Sequence, residues 1–202
     1  MKNSILALLA VAAMVACKKN ETTAVDQSAD SSAMAAPADS TMNVNDSATV
    51  TGTGTANSLS DQDKKFADAA AKGGMMEVMM GELAAGNGNN AAVKALGDMM
   101  VKDHGKANDE LKKWASTVGY TLPASLDTEK QKEYDDLKAK KGAEFDRAYT
   151  DLMVKDHQKD IAEFKKQAIE GTEASLKSFA SKTLPTLEHH LMESEKAKSA
   201  VK

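Results

Sequence analysis

Three observations predict an all-α protein, a four-helix bundle with a crossover between its second and third long helices. Apolar residues recur every three or four positions along four stretches of roughly 26 to 29 residues, the period of an amphipathic helix. Aromatic residues are only 4 % of the chain while alanine and methionine are abundant, which suits helices with small, flexible core fillers better than a sheet. Met100-Val101-Lys102-Asp103-His104 returns as Met153-Val154-Lys155-Asp156-His157. Asp98 to Ala115 aligned on Asp151 to Ala168 gives identity at 11 of 18 positions at an offset of 53, so two long helices share one pattern.

The N-terminus reads as an address. Met1-Lys2-Asn3 is a short positive region, and Ile5 to Val15 is an apolar run too short to span a bilayer as a mature helix. Met14-Val15-Ala16-Cys17 resembles a bacterial lipobox, which implies cleavage after residue 16 and lipid attachment to Cys17. Several acyl chains on one residue give stable anchoring where one gives marginal binding. Lys18 after the cysteine points to the outer membrane, with the domain in the periplasm or at the cell surface. Residues 17–60 form a tether of Ala, Ser, Thr, Asp, Asn and Gly, too poor in large apolar residues to fold. As a coil it reaches roughly 35 Å. The membrane is thus the expected partner, through the lipid; the sequence names no protein partner. The sole cysteine excludes an intrachain disulfide, and a net charge of −4 offers no basic face for nucleic acid.

Residues 61–202 carry the bundle. The first helix starts at Ser60-Asp61-Gln62-Asp63, a capping-box pattern with an acid in the third position. Its stripe is Phe66, Ala69/Ala70, Gly73, Met76, Met80 and Leu83/Ala84, with Glu77 on or beside it. Gly86 to Asn90 makes the turn to an antiparallel second helix, about Asn90 to Val118. Here the stripe Val93, Leu96, Met100, His104, Ala107, Leu111, Trp114, Val118 puts a histidine in a core slot. Tyr120 to Gly142 reads as a connection with its own short charged helix capped by Asp127-Thr128. It is long enough to run back along the bundle, which makes the second and third long helices parallel, a ferritin-like arrangement. The third, about Ala143 to Glu170, places Phe145/Asp146, Tyr149, Met153, His157, Ile161, Phe164 and Ala168 inside. The fourth, about Thr172 to Lys198, carries Leu176, Phe179/Ala180, Thr183, Leu187, His190, Ser194 and Ala197, with Pro185 expected to kink or split it.

All four histidines fall in this domain, and His104, His157 and His190 take core positions while His189 lies one step round. Glu77 and these three fall near one height. A buried polar group without a partner costs roughly 1–3 kcal/mol. Four of them can satisfy one another, or bind a cation, and imidazole with carboxylate suits Fe, Zn or Cu. Glu77, His104, His157 and His190 are therefore the candidate metal ligands, with Asp103, Asp146, Tyr149 and Asp156 as support. Met75, Met76, Met79, Met80, Met99 and Met100 open a second possibility, Cu(I). Against both stands a structural role, in which the histidines only fix helix register. Phosphate-binding and nucleophile motifs are missing.

One set of residues, taken in order, resembles the domain of unknown function 4142 family of the ferritin-like superfamily. They are Phe66 through Glu77, Leu83-Ala84, Met100 with Asp103-His104, Phe145-Asp146-Arg147-Ala148-Tyr149 before His157, and Leu184-Pro185-Thr186-Leu187 before His190-Leu191. The resemblance implies a bacterial, exported, often lipid-anchored four-helix bundle and brings no established activity. Di-iron members of the superfamily use Glu-x-x-His on two helices. At that offset this chain has Val101, Val154 and Leu187, which speaks against ferroxidase chemistry and ranks a metalloenzyme below a binding protein.

Overall fold

The computed structural model describes residues 56–201. The signal segment, Cys17 and the tether up to residue 55 lie outside the described residues. Five α-helices follow a short 3-10 turn at Ala56–Ser58: α1 (Asp61–Asn87), α2 (Ala91–Val118), α3 (Thr128–Lys138), α4 (Gly142–Glu170) and α5 (Ala174–Ala200). None of these helices is long and apolar enough to cross a membrane. The packed body begins earlier than the pattern implied, because Leu59 is already buried against the core.

The helix starts follow from local hydrogen bonding. The Ser60 hydroxyl accepts the Asp63 amide and donates to the Asp63 carboxylate, Asn90 caps α2 through the Ala92 amide, and Asp127 caps α3 through the Lys130 amide. Glu173 rather than Thr172 caps α5: its carboxylate takes the Leu176 amide, and the Thr172 hydroxyl turns to Asp63 instead. Gly119 ends α2 at φ 71°, a left-handed conformation only glycine adopts freely. Pro185 does not split α5. Proline strands the carbonyl four residues back; that residue, Ser181, is exposed, so water can take it. On α1 the buried face is Ala67, Ala71 and Gly74, one step round from the expected Ala70 and Gly73.

End contacts fix the topology. Asp146 at the start of α4 accepts the Asn89 and Asn90 amides, while Trp114 near the end of α2 donates to Glu173 at the start of α5. Hence α2 runs parallel to α4, α1 runs parallel to α5, and each pair lies on a diagonal. This is the ferritin-like crossover, and α3 packs across the seam between α1 and α4.

The diagonals are also related by register. Leu96, Gly97, Met100, His104, Leu111 and Trp114 of α2 correspond at the offset of 53 to Tyr149, Thr150, Met153, His157, Phe164 and Gln167 of α4, and all are buried. Ala67, Gly74, Glu77, Gly81 and Ala84 of α1 correspond at another constant offset to Ala180, Leu187, His190, Ser194 and Ala197 of α5, again all buried. The bundle therefore has a pseudo-two-fold axis along its length. Its apolar core is split in two: one cluster surrounds Phe66, Trp114, Phe164 and Leu176, and the other surrounds Met80, Met100, Phe145 and Met153. A polar layer lies between them.

Candidate metal centre

Each long helix sends one residue into that layer. Glu77, His104, His157 and His190 are 2 %, 6 %, 0 % and 0 % exposed, dry enough that an unpartnered polar atom is costly. The pseudo-two-fold pairs His104 with His157, and Glu77 with His190.

The facing nitrogens are close. His104 Nε2 lies 3.4 Å from His157 Nε2, which lies 3.3 Å from His190 Nδ1. A tetrahedral ion with metal–nitrogen bonds of about 2.0–2.1 Å holds its ligand atoms about 3.3–3.4 Å apart. The outer nitrogens decide which atoms carry protons. His157 Nδ1 sits 2.8 Å from the Met153 carbonyl oxygen, so that nitrogen is the donor and Nε2 presents a lone pair inward. His190 Nε2 sits 3.1 Å from Asp103 Oδ2, so it is likewise the donor and Nδ1 is bare. Two lone pairs thus face each other across 3.3 Å, an arrangement that needs a cation or an added proton between them.

An added proton is disfavoured. Burial pushes the His104 imidazole well below its usual pKa, and the neighbouring His157 and His190 push the same way. Burial also lowers His157, against the Met153 bond, and holds His190 at about 4 despite Asp103. At neutral pH the three rings are neutral, the form in which imidazole binds metals.

Glu77 completes the layer. Its Oε2 lies 3.8 Å from His104 Nε2 and its Oε1 lies 3.8 Å from His157 Nδ1, and neither oxygen has a hydrogen-bond partner among the described residues. Burial raises its pKa well above the usual value and Asp156 adds to the rise, while Lys130 partly offsets it. Among the described residues the Tyr149 hydroxyl is the other unpartnered buried side-chain group, and burial together with the Glu77 charge raises its pKa well above the usual value.

The supporting residues divide. Asp103 stands behind His190, its Oδ2 3.1 Å from Nε2, and fixes the orientation of that ring. Asp156, its pseudo-symmetric counterpart, lies on the α3 side with Lys130, Glu133 and Lys155 instead; burial and the Glu133 charge raise it, and Lys130 and Lys155 pull it back. Asp146 does not join the layer. It is buried at the far end of the bundle, where its two amide bonds from Asn89 and Asn90 use it to pin the α1–α2 turn. His189 is exposed. Two residues at the site escaped the sequence reading. Lys130 belongs to the crossover helix, which has no apolar stripe to fix its facing, yet its Nζ lies 3.6 Å from Met76 Sδ, beside Glu77. Asp160 follows His157 by three positions, and burial and the Glu77 charge bring its carboxyl up to about 7. An acid three residues after a core histidine was the available signal.

Among the described residues, the three buried histidines place ring nitrogens within 4.8 Å of one another, a group that could hold a metal ion. The chain belongs to the family described as "Domain of unknown function (DUF4142)", which matches residues 48–197. Two solved structures share the fold. A DUF305 fragment from Deinococcus radiodurans is 11 % identical with a TM-score of 0.62, over 70 % of this chain and 98 % of its own. CopM in the Cu(II)-bound form is 14 % identical with a TM-score of 0.59, over 68 % of this chain and 96 % of its own. No curated protein matches this chain.

Proposed function

We propose that the protein is an extracytoplasmic, lipid-anchored binding protein for one divalent transition-metal ion. The ligands are His104 Nε2, His157 Nε2, His190 Nδ1 and a Glu77 oxygen. The observation that carries this reading is the pair of bare nitrogens facing each other at 3.3 Å while their outer nitrogens are committed to Met153 and Asp103. The orphaned Glu77 carboxylate supports it.

Charge favours a divalent ion. Three neutral imidazoles, one carboxylate ligand and the Asp103 carboxylate behind them balance a dication. Cu(I) would leave a buried net negative charge, and an uncompensated buried charge is strongly destabilising. Imidazole with carboxylate suits Cu(II) and Zn(II), and the general order of affinities puts Cu(II) first. Likeness to a protein solved in a Cu(II)-bound form agrees with that choice. The core methionines serve as apolar filling: Met76, Met80, Met100 and Met153 all lie in one cluster on one side of the layer.

Titration of chelator-treated protein with Cu(II) and with Zn(II) tests the site. One equivalent per chain is expected, with His104→Ala and His157→Ala binding none while retaining their helical signal. Binding that survives both substitutions overturns the proposal. The anchor is tested by the mass of membrane-extracted protein. An acylated chain beginning at Cys17 is expected, and an unmodified Cys17 removes the lipid from the proposal.

A further inference from the structure

The pseudo-two-fold makes two seams of the bundle equivalent, and they are not used alike. Across the α1–α4 seam lies α3, which brings Lys130 beside Glu77 and Asp156. That side supplies its own anionic ligand and its own cation. Among the described residues, no helix covers the equivalent α2–α5 seam. It opens instead as a cleft of about 310 Å³ whose floor includes His104 and His190. His104 is the most exposed of the four proposed ligands. Lys106 and Lys182 line this cleft, and neither has an ion-pair partner among the described residues.

We infer that the α2–α5 cleft is a metal-dependent binding site for a small monovalent anion, a carboxylate above all, placed against the ion between Lys106 and Lys182. The inference rests on the metal reading above. Where the α1–α4 side holds Glu77, this side holds His190, so an anion that reaches the ion here enters from the cleft as an added ligand. The charged groups lining the cleft, Lys106, Lys182, Asp103 and Glu110, cancel one another. A dication under the floor tips the balance: the cleft lining, the ion and Glu77 together sum to one positive charge. The empty protein therefore has little hold on an anion, and the loaded protein has one. Linkage makes the effect reciprocal, so the anion tightens the metal by the same factor.

The test uses full-length protein and azide as the probe. Copper content is measured first; a protein that takes up no Cu(II) sinks the metal reading, and this inference with it, before azide is added. With one Cu(II) bound, azide should give a saturable charge-transfer band that formate displaces, and the chelator-treated protein should give none. Lys106→Ala combined with Lys182→Ala should weaken azide about tenfold at unchanged copper stoichiometry, the effect of two partly exposed charges. Ala107→Trp, on the cleft wall, should abolish the band while copper stays bound. A copper-loaded protein with no saturable azide response overturns the inference. So does azide affinity that is the same in the double lysine variant and the wild type, because the anion is then not held by the cleft.

Discussion

Asp63 and Glu77 sit on the same helix about four turns apart, both buried, and the protein treats them in opposite ways. Burial works against ionised Asp63, but the Ser60 and Thr172 hydroxyls, the Gln167 amide and the Thr172 backbone amide all bond its carboxylate, and its pKa falls to about 2. It is a finished structural element, tying the start of α1 to the α4–α5 turn. Glu77 has no such bonds and its pKa is driven up. A fold able to satisfy Asp63 so fully leaves Glu77 bare in the one layer where three histidines also converge. The difference separates a carboxylate that holds the bundle together from one that the described residues leave without a hydrogen bond.

Changes at each region should break this contrast to different degrees. The largest effect is expected from His157→Ala, which removes the central nitrogen of the triad. Metal affinity should fall more than about 100-fold, with the metal-free protein losing only the roughly 2–5 kcal/mol of a truncated core side chain; dialysis against metal beside a urea melt reads both. Next comes Asp63→Ala. It strands donors from Gln167, Thr172 and Glu173, and should cost about 3 kcal/mol by urea unfolding with metal affinity unchanged. Asp103→Ala should weaken metal by about 10- to 100-fold through loss of the His190 orienting bond, with little change in melting. Glu77→Gln should do the reverse of Asp63→Ala in the metal-free protein: stability rises, by about 1 kcal/mol, while metal affinity drops.

The pH dependence carries the same contrast with opposite signs. Asp63 is depressed in the folded state, so its contribution is present above its ordinary value of 3.8 and is lost as pH falls toward about 2, an effect of about 2 kcal/mol. Glu77 is raised, so its folded form is favoured below its ordinary value of 4.5 and the metal-free protein loses that contribution as pH climbs. Melts of Asp63→Asn and Glu77→Gln across pH should flatten the acid limb and the upper limb respectively.

Much of this was legible in the sequence. The repeated Met-Val-Lys-Asp-His segment placed His104 and His157 in equivalent core slots, and the chain length after Val118 allowed the crossover that makes α2 and α4 parallel. The second half of the symmetry was hidden, because α1 and α5 share a burial register but few identities at the polar layer: Ala67 and Ala84 match Ala180 and Ala197, yet Glu77 stands where His190 stands, and Gly81 where Ser194 stands. Asp146 looked like a member of the site because it shares the α4 stripe with His157, but periodicity assigns a face and not a height. Lys130 was invisible for the opposite reason, since α3 has only Leu137 buried and nothing in its pattern says which way the lysine points.

The central claim is that the buried polar layer is completed by a metal ion. It is tested most directly by equilibrium dialysis of the chelator-treated protein against Cu(II), with elemental analysis, beside the variant carrying His104→Ala, His157→Ala and His190→Ala. One copper per chain in the wild type and none in the variant is the expected result. No copper in the wild type, or equal copper in both, contradicts it and leaves the three histidines as core residues that fix helix register.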